Sequence, residues 1–184
     1  MVAAPGARSM PQRRSCNTAP GRHGTGRAGP GPCRYAADVP ERPLEISAHH
    51  ALCVHGFRGM GYSEGFVASL AGIVARLRDD PGVRVRVRVG ADAVCRACPS
   101  LSAGGCVRYG QGVVRQDARV AGVLGVASGD EMTWADLRAR VRTAVAPDDL
   151  ADLCGNCPWL PYGVCAEGIA GLRAGRPLPG APDA

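Results

Sequence analysis

The chain has 184 residues, a formal net charge of +6 and nine cysteines. Its length suffices for one domain with its own core, and no apolar run approaches the roughly 20 residues that a membrane-spanning helix needs. All 22 basic residues are arginine, and their placement argues against a nucleic-acid binder: residues 1–43 carry seven Arg against Asp38 and Glu41, a net of +5, whereas residues 44–184 carry fifteen Arg against fourteen acids, a net of +1.

Residues 1–43 are dense in Gly, Pro, Arg and Ser and show no apolar periodicity. Such a segment cannot bury enough surface to offset its ordering entropy, so a disordered leader is expected there. Its arginines are not followed by a continuous apolar stretch, so it does not read as a secretory signal, and a cytoplasmic location is expected. In that compartment thiols stay reduced, and clustered cysteines bind metal or do redox chemistry more often than they form disulfides. Order is expected over residues 44–173, with a disordered tail at 174–184. The stretch Ile46–Cys53 predicts a short helix, followed by the glycine-rich HGFRGMGYSEG. Ser63 reads as the N-cap of a helix to about Arg78, with Phe66, Leu70, Ile73, Val74 and Leu77 on one face. VRVRVRV, residues 83–89, alternates strictly and predicts a strand, either a charged edge or a phosphate-touching face. Further helices are expected from about Gly112 to Leu124, from a Thr133 cap with Asp136 in a capping box, from Pro147 through DDLADL, and over Glu167–Arg173. Trp134 reads as core. The fold class expected is α+β, mostly α: a small single domain with short helices, one or two strands and two cysteine-rich loops.

Two stretches carry the chemistry. CRACPSLSAGGC, residues 95–106, and CGNCPWLPYGVC, residues 154–165, share the spacing C-x2-C-x7-C. Cys95, Cys98 and Cys106 match Cys154, Cys157 and Cys165, and Pro99 with Leu101 matches Pro158 with Leu160. C-x-x-C is a short spacing that lets two thiolates converge on one metal, with backbone N–H groups turned towards the sulfurs. Leu101, and Leu160 with Trp159 and Tyr162, would shield the site from water. Each triad is one ligand short of the four that structural zinc or a cubane cluster takes. HHALC supplies candidates, because His49 or His50 shares a helical face with Cys53. Cys53 with either triad makes a four-thiolate set. The other triad then keeps three, completed by histidine, water or an outside ligand. A grouping of both C-x-x-C pairs around one centre remains open. Cys16 and Cys33 match neither triad.

These features fit zinc as well as iron–sulfur, and the proline after the second cysteine leans to the latter. His49 and His50 read either as ligands or as hydrogen-bonding groups that orient a cysteine. A Cys53–histidine nucleophile pair lacks a nameable orienting partner or oxyanion site. The glycine-rich loop lacks the Gly-Lys-Ser/Thr ending of a phosphate loop, and Arg58 within it is placed to hold an anion or a cluster's negative charge.

Together, HHALCVHGFRGMGYSEGFV, the Asp92–Cys95 approach to C-x-x-C-P and the closing CGNCPWLPYGVC resemble the bacterial and archaeal family called domain of unknown function 1284. The resemblance runs from about Leu44 to Arg173, with Ala51 where the family usually has leucine. It implies an iron–sulfur-binding protein and supplies no reaction; the role expected for such a cluster is electron transfer or redox sensing, with a redox protein as partner. The metal ligands expected are Cys53, Cys95, Cys98, Cys106, Cys154, Cys157 and Cys165, with His49 and His50. The alternative is a zinc-stabilised interaction module.

Overall fold

Valines 83, 85 and 87 alternate with arginines, and a strand must bury one of its two faces. In the computed structural model, which describes residues 42–155 and 157–180, the three valines are buried. The leader expected over residues 1–43 falls almost wholly outside these described residues. The strand, β2 (Arg84–Arg88), is central in a three-stranded sheet of order β1-β2-β5, between β1 (Leu44–Ser47) and β5 (Glu131–Thr133). β1 runs parallel to it, pairing Leu44 with Val85 and Ile46 with Val87, and β5 runs antiparallel. The edge-strand expectation is corrected here. The arginine face is laced to the neighbouring strands instead, with Arg86 on Glu131 and Arg88 on Glu45.

Ile46 therefore lies in a strand, and the helix expected from Ile46 is only α1, His50–Cys53. Parallel pairing with β2 decides this: Leu44 and Ile46 alternate onto the same face as Val85 and Val87, and burial of that face overrides a weak helical preference. Next come a turn of 3-10 helix, Val54–Gly56, and α2, Glu64–Asp79, which crosses back to β2. Ser63 caps α2 as expected, its Oγ accepting the N–H of Phe66 at 3.2 Å. Phe66, Leu70, Val74 and Leu77 are buried, and Ile73 packs at their margin.

A hairpin of β3 (Leu101–Ser102) and β4 (Gly105–Cys106) precedes α3, Gln111–Leu124. Helix α4, Trp134–Ala144, starts at Thr133, whose Oγ1 accepts the Asp136 N–H. The Asp136 carboxylate takes the Thr133 hydroxyl at 2.6 Å rather than the backbone N–H that a full capping box needs. A 3-10 turn at Pro147–Asp149 leads into α5, Leu150–Cys154, and α6 spans Val164–Arg173. The result is the expected α+β domain, mostly α.

One contact positions the cysteines. Helix α6 lies directly on the 3-10 turn after α1, backbone against backbone. A Cβ on Gly168 would come 2.4 Å from the His55 carbonyl, and one on Gly56 would come 2.7 Å from the Cys165 Cα. Only glycine at both places permits that approach, which sets the start of α6 beside the end of α1. Trp134, Leu52, Ile169 and Leu172 fill the core around this contact, and Leu178 beyond α6 is buried too.

Candidate metal centre

Local backbone geometry repeats the sequence repeat. Cys98 N–H donates to Cys95 C=O at 2.9 Å, and Leu101 N–H donates to Cys98 C=O at 3.1 Å. In the second stretch Cys157 donates to Cys154 at 2.7 Å and Leu160 to Cys157 at 3.1 Å. Both C-x-x-C-P segments thus make the same two successive turns. In the second, burial raises the Cys157 thiol on balance, although the backbone N–H groups of Trp159 and Leu160 reach its sulfur and act the other way.

The tertiary fold joins Cys53 to the second triad. It comes from the end of α1, Cys154 from the end of α5, Cys157 from the loop and Cys165 from the first turn of α6. Cys53 and Cys165 hydrogen-bond through their sulfurs, and Cys154 and Cys157 lie near enough to act on the Cys53 thiol. Together with Leu52, Leu150 and Leu160, the four thiols close a void of only about 10 Å³, which gives them an apolar backing. That hydrogen bond and burial push the Cys53 thiol well up, while Cys165, accepting from Cys53 and facing the Arg58 guanidinium, is lowered. Burial pushes Cys154 to about 11, against the hydrogen bond from Gln116 and the charge of Arg119. Thiols held protonated in this way, as Cys53 and Cys154 are, must give up their protons to solvent when a cation binds the sulfurs. Arg58 donates to the carbonyls of Phe57, at 2.9 Å, and His55, so its charge is fixed beside this set.

The first triad is different. Cys95 pairs with His50 and Asp92, and the three donor atoms lie within 4.8 Å of one another. Asp92, 4 % exposed, accepts the N–H of Ser47 at 2.6 Å, the N–H of Cys95 at 3.1 Å and His50 Nδ1 at 2.8 Å. A second buried carboxylate, Asp117 of α3, accepts the N–H groups of His49 and Gly90 and holds His49 Nδ1 at 2.6 Å. Ionised carboxylates only accept, so both histidines carry the proton on Nδ1, which leaves Nε2 for other work. The rings lie 4.0 Å apart. Burial lowers His49, with His50 beside it, more than Asp117 raises it. Burial also lowers His50, but the Asp92 carboxylate outweighs it and the net direction is up. Burial and the Asp92 charge push Cys95 to about 12, which disfavours Cys95 as a free nucleophile.

Both sets open on one cavity of about 560 Å³, lined by all seven of the described cysteines together with His49, His50 and Arg58. Among the described cysteines none is disulfide-bonded; Cys16 and Cys33 lie outside the described residues. Trp159 lines the cavity and packs on Tyr62 at 5.5 Å between ring centres. Two expected shields stand elsewhere. Tyr162 is 64 % exposed and touches Trp159 from outside, and Leu101 is 37 % exposed on its hairpin, because a two-strand hairpin leaves one face in solvent.

A family model described as a protein of unknown function, DUF1284, matches residues 61–163, more than half of the chain. The chain belongs to that family. The DUF1284 match contains Cys95, Cys98, Cys106, Cys154 and Cys157, whereas His49, His50, Cys53 and Cys165 lie outside it. No curated protein and no solved structure matches the chain. The residues that sequence reading missed are Asp92 and Asp117. Asp117 had a signal: it occupies a core position of α3 with Val120, Ala121 and Leu124, where a carboxylate without partners would be costly.

Proposed function

We propose that this protein binds an iron–sulfur cluster through Cys53, Cys154, Cys157 and Cys165, and serves in electron transfer or redox sensing. The observation that carries the reading is the arrival of Cys53, from a segment a hundred residues away, at a triad that lacked one thiol. Four thiols on an apolar wall, with Arg58 and Arg119 facing two of them, suit an anionic cluster. The cluster would supply the one-electron chemistry. The protein's own groups hold it, exclude water through Leu52, Leu150 and Leu160, and set its potential through the two guanidinium charges. An electron-transfer role requires a redox protein partner. Among the described residues no helix is long and apolar enough to cross a membrane.

The second reading, a zinc-stabilised interaction module, is favoured by the mixed nitrogen, oxygen and sulfur donors of His50, Asp92 and Cys95. Purification without oxygen, followed by iron, acid-labile sulfide and zinc analysis, separates the two. Brown protein with iron and sulfide supports the cluster; colourless protein with stoichiometric zinc supports the module. Protein with neither metal removes both.

A further inference from the structure

Four arginines, Arg58, Arg108, Arg115 and Arg119, line the cavity beside the thiols. Arg58 faces Cys165 and Arg119 faces Cys154. Arg108 and Arg115 line the same cavity, and among the described residues neither makes a hydrogen bond or an ion pair. Arg108 instead lies over the rings of Tyr62 and Tyr109, at 5.0 and 5.9 Å from their centres. Arg108 and Arg115 are exposed at the cavity, which leaves their N–H groups open to a ligand.

Two further observations point the same way. The first turn of α3 lines the cavity, its N-cap Gly110 offers no capping side chain, and that turn contains no acid. The start of a 14-residue helix is therefore open to an anion. Opposite charge is scarce: Asp152 is the one carboxylate residue among those lining the cavity. The Nε2 atoms of His49 and His50, left free by their bonds to Asp117 and Asp92, add two polar groups with fixed tautomers.

We propose that the cavity binds a small organic anion bearing carboxylate or phosphate. Arg108, Arg115 and the open turn of α3 take its charged group, and the two histidine rings face its other polar atoms. A cavity of about 560 Å³ is of the size that small-molecule sites have. This goes beyond the metal reading, since it holds whether the thiols carry iron or zinc.

The test uses the full chain purified without oxygen, with whatever metal it carries, titrated calorimetrically with citrate and, separately, with pyrophosphate at low ionic strength. One or both bind, and the preference tells carboxylate from phosphate. The double variant Arg108→Gln/Arg115→Gln weakens the tighter probe about tenfold or more, as loss of charge-assisted hydrogen bonds predicts, with metal content unchanged. A control variant with the same charge change elsewhere, Arg84→Gln/Arg96→Gln, keeps the wild-type affinity. Four results overturn the proposal: neither probe binds, the cavity variant binds like wild type, the control weakens binding equally, or the cavity variant loses its metal in step with the probe. Protein that lacks metal but binds citrate through Arg108 and Arg115 supports the anion site and removes the metal reading.

Discussion

Replacing Gly168 by alanine tests the contact on which the four-thiol set depends. The added Cβ would stand 2.4 Å from the His55 carbonyl carbon and oxygen and 2.7 Å from the Gly56 nitrogen. Those obstacles are backbone, so no side chain can swing away, and α6 must retreat by about 1 Å to restore ordinary separations. Overpacking of this kind costs about 1–3 kcal/mol, and the backbone obstacle puts Gly168→Ala at the upper end. Alanine's better helix propensity returns about 1 kcal/mol, leaving a net loss of about 2 kcal/mol. With a urea m-value of about 2 kcal/mol/M, the unfolding midpoint drops by about 1 M. On the proposed ligand set metal content falls as well, because Cys165 sits one turn away on the same helix and moves off Cys53. Gly72→Ala is the matched control, a glycine inside α2 with nothing within 4 Å of the new Cβ. It stabilises by up to about 1 kcal/mol. Equal urea midpoints for Gly168→Ala and wild type, with full metal content, would refute the close packing and the placement of Cys165.

On the proposed ligand set, Cys53→Ser should remove the bound metal, while Cys106→Ser should leave it in place; metal-to-protein ratios check this. Asp117→Ala leaves the backbone N–H groups of His49 and Gly90 and the His49 ring without their acceptor, at a cost of about 3 kcal/mol or more in urea unfolding. His55 is buried, unbonded at Nε2 and stacked on Trp134, and burial, aided by the Arg138 charge, lowers it from 6.5 to about 3. Its unfolded state therefore binds the proton first. Stability from this group is complete above pH 6.5 and is lost as pH falls towards about 3, by up to about 1.4 kcal/mol per pH unit. His55→Phe should flatten the stability profile between pH 6.5 and pH 5, read from urea midpoints; an unchanged slope there would show that another group carries it.

Legibility followed the range of the interactions. Ser63 and Thr133 announced their helices because a cap acts on the N–H groups two or three residues away. The valines of β2 announced a strand because alternation is a property of the chain itself, and the twin turns of the C-x-x-C-P segments were readable for the same reason. Ile46 misled because its strand exists only through β2, some forty residues on, and the rank of β2 as central strand depends on both of its neighbours. The fourth thiol was a choice among alternatives until α6 met the turn after α1.

By itself, the sequence determined where the helices capped by Ser63 and Thr133 start, which face of β2 is apolar, that two thiol triads share one local geometry, and that Cys53 and two histidines were the candidates to complete them. The tertiary structure alone decided that Cys53 joins the second triad, that Cys95 meets His50 and Asp92, and that both sets open on one cavity. The physical reason is that spacing along a chain fixes turns of a few residues. Which distant segments meet is set by the summed burial of the core and by the two glycines, Gly56 and Gly168, that let one backbone lie on another.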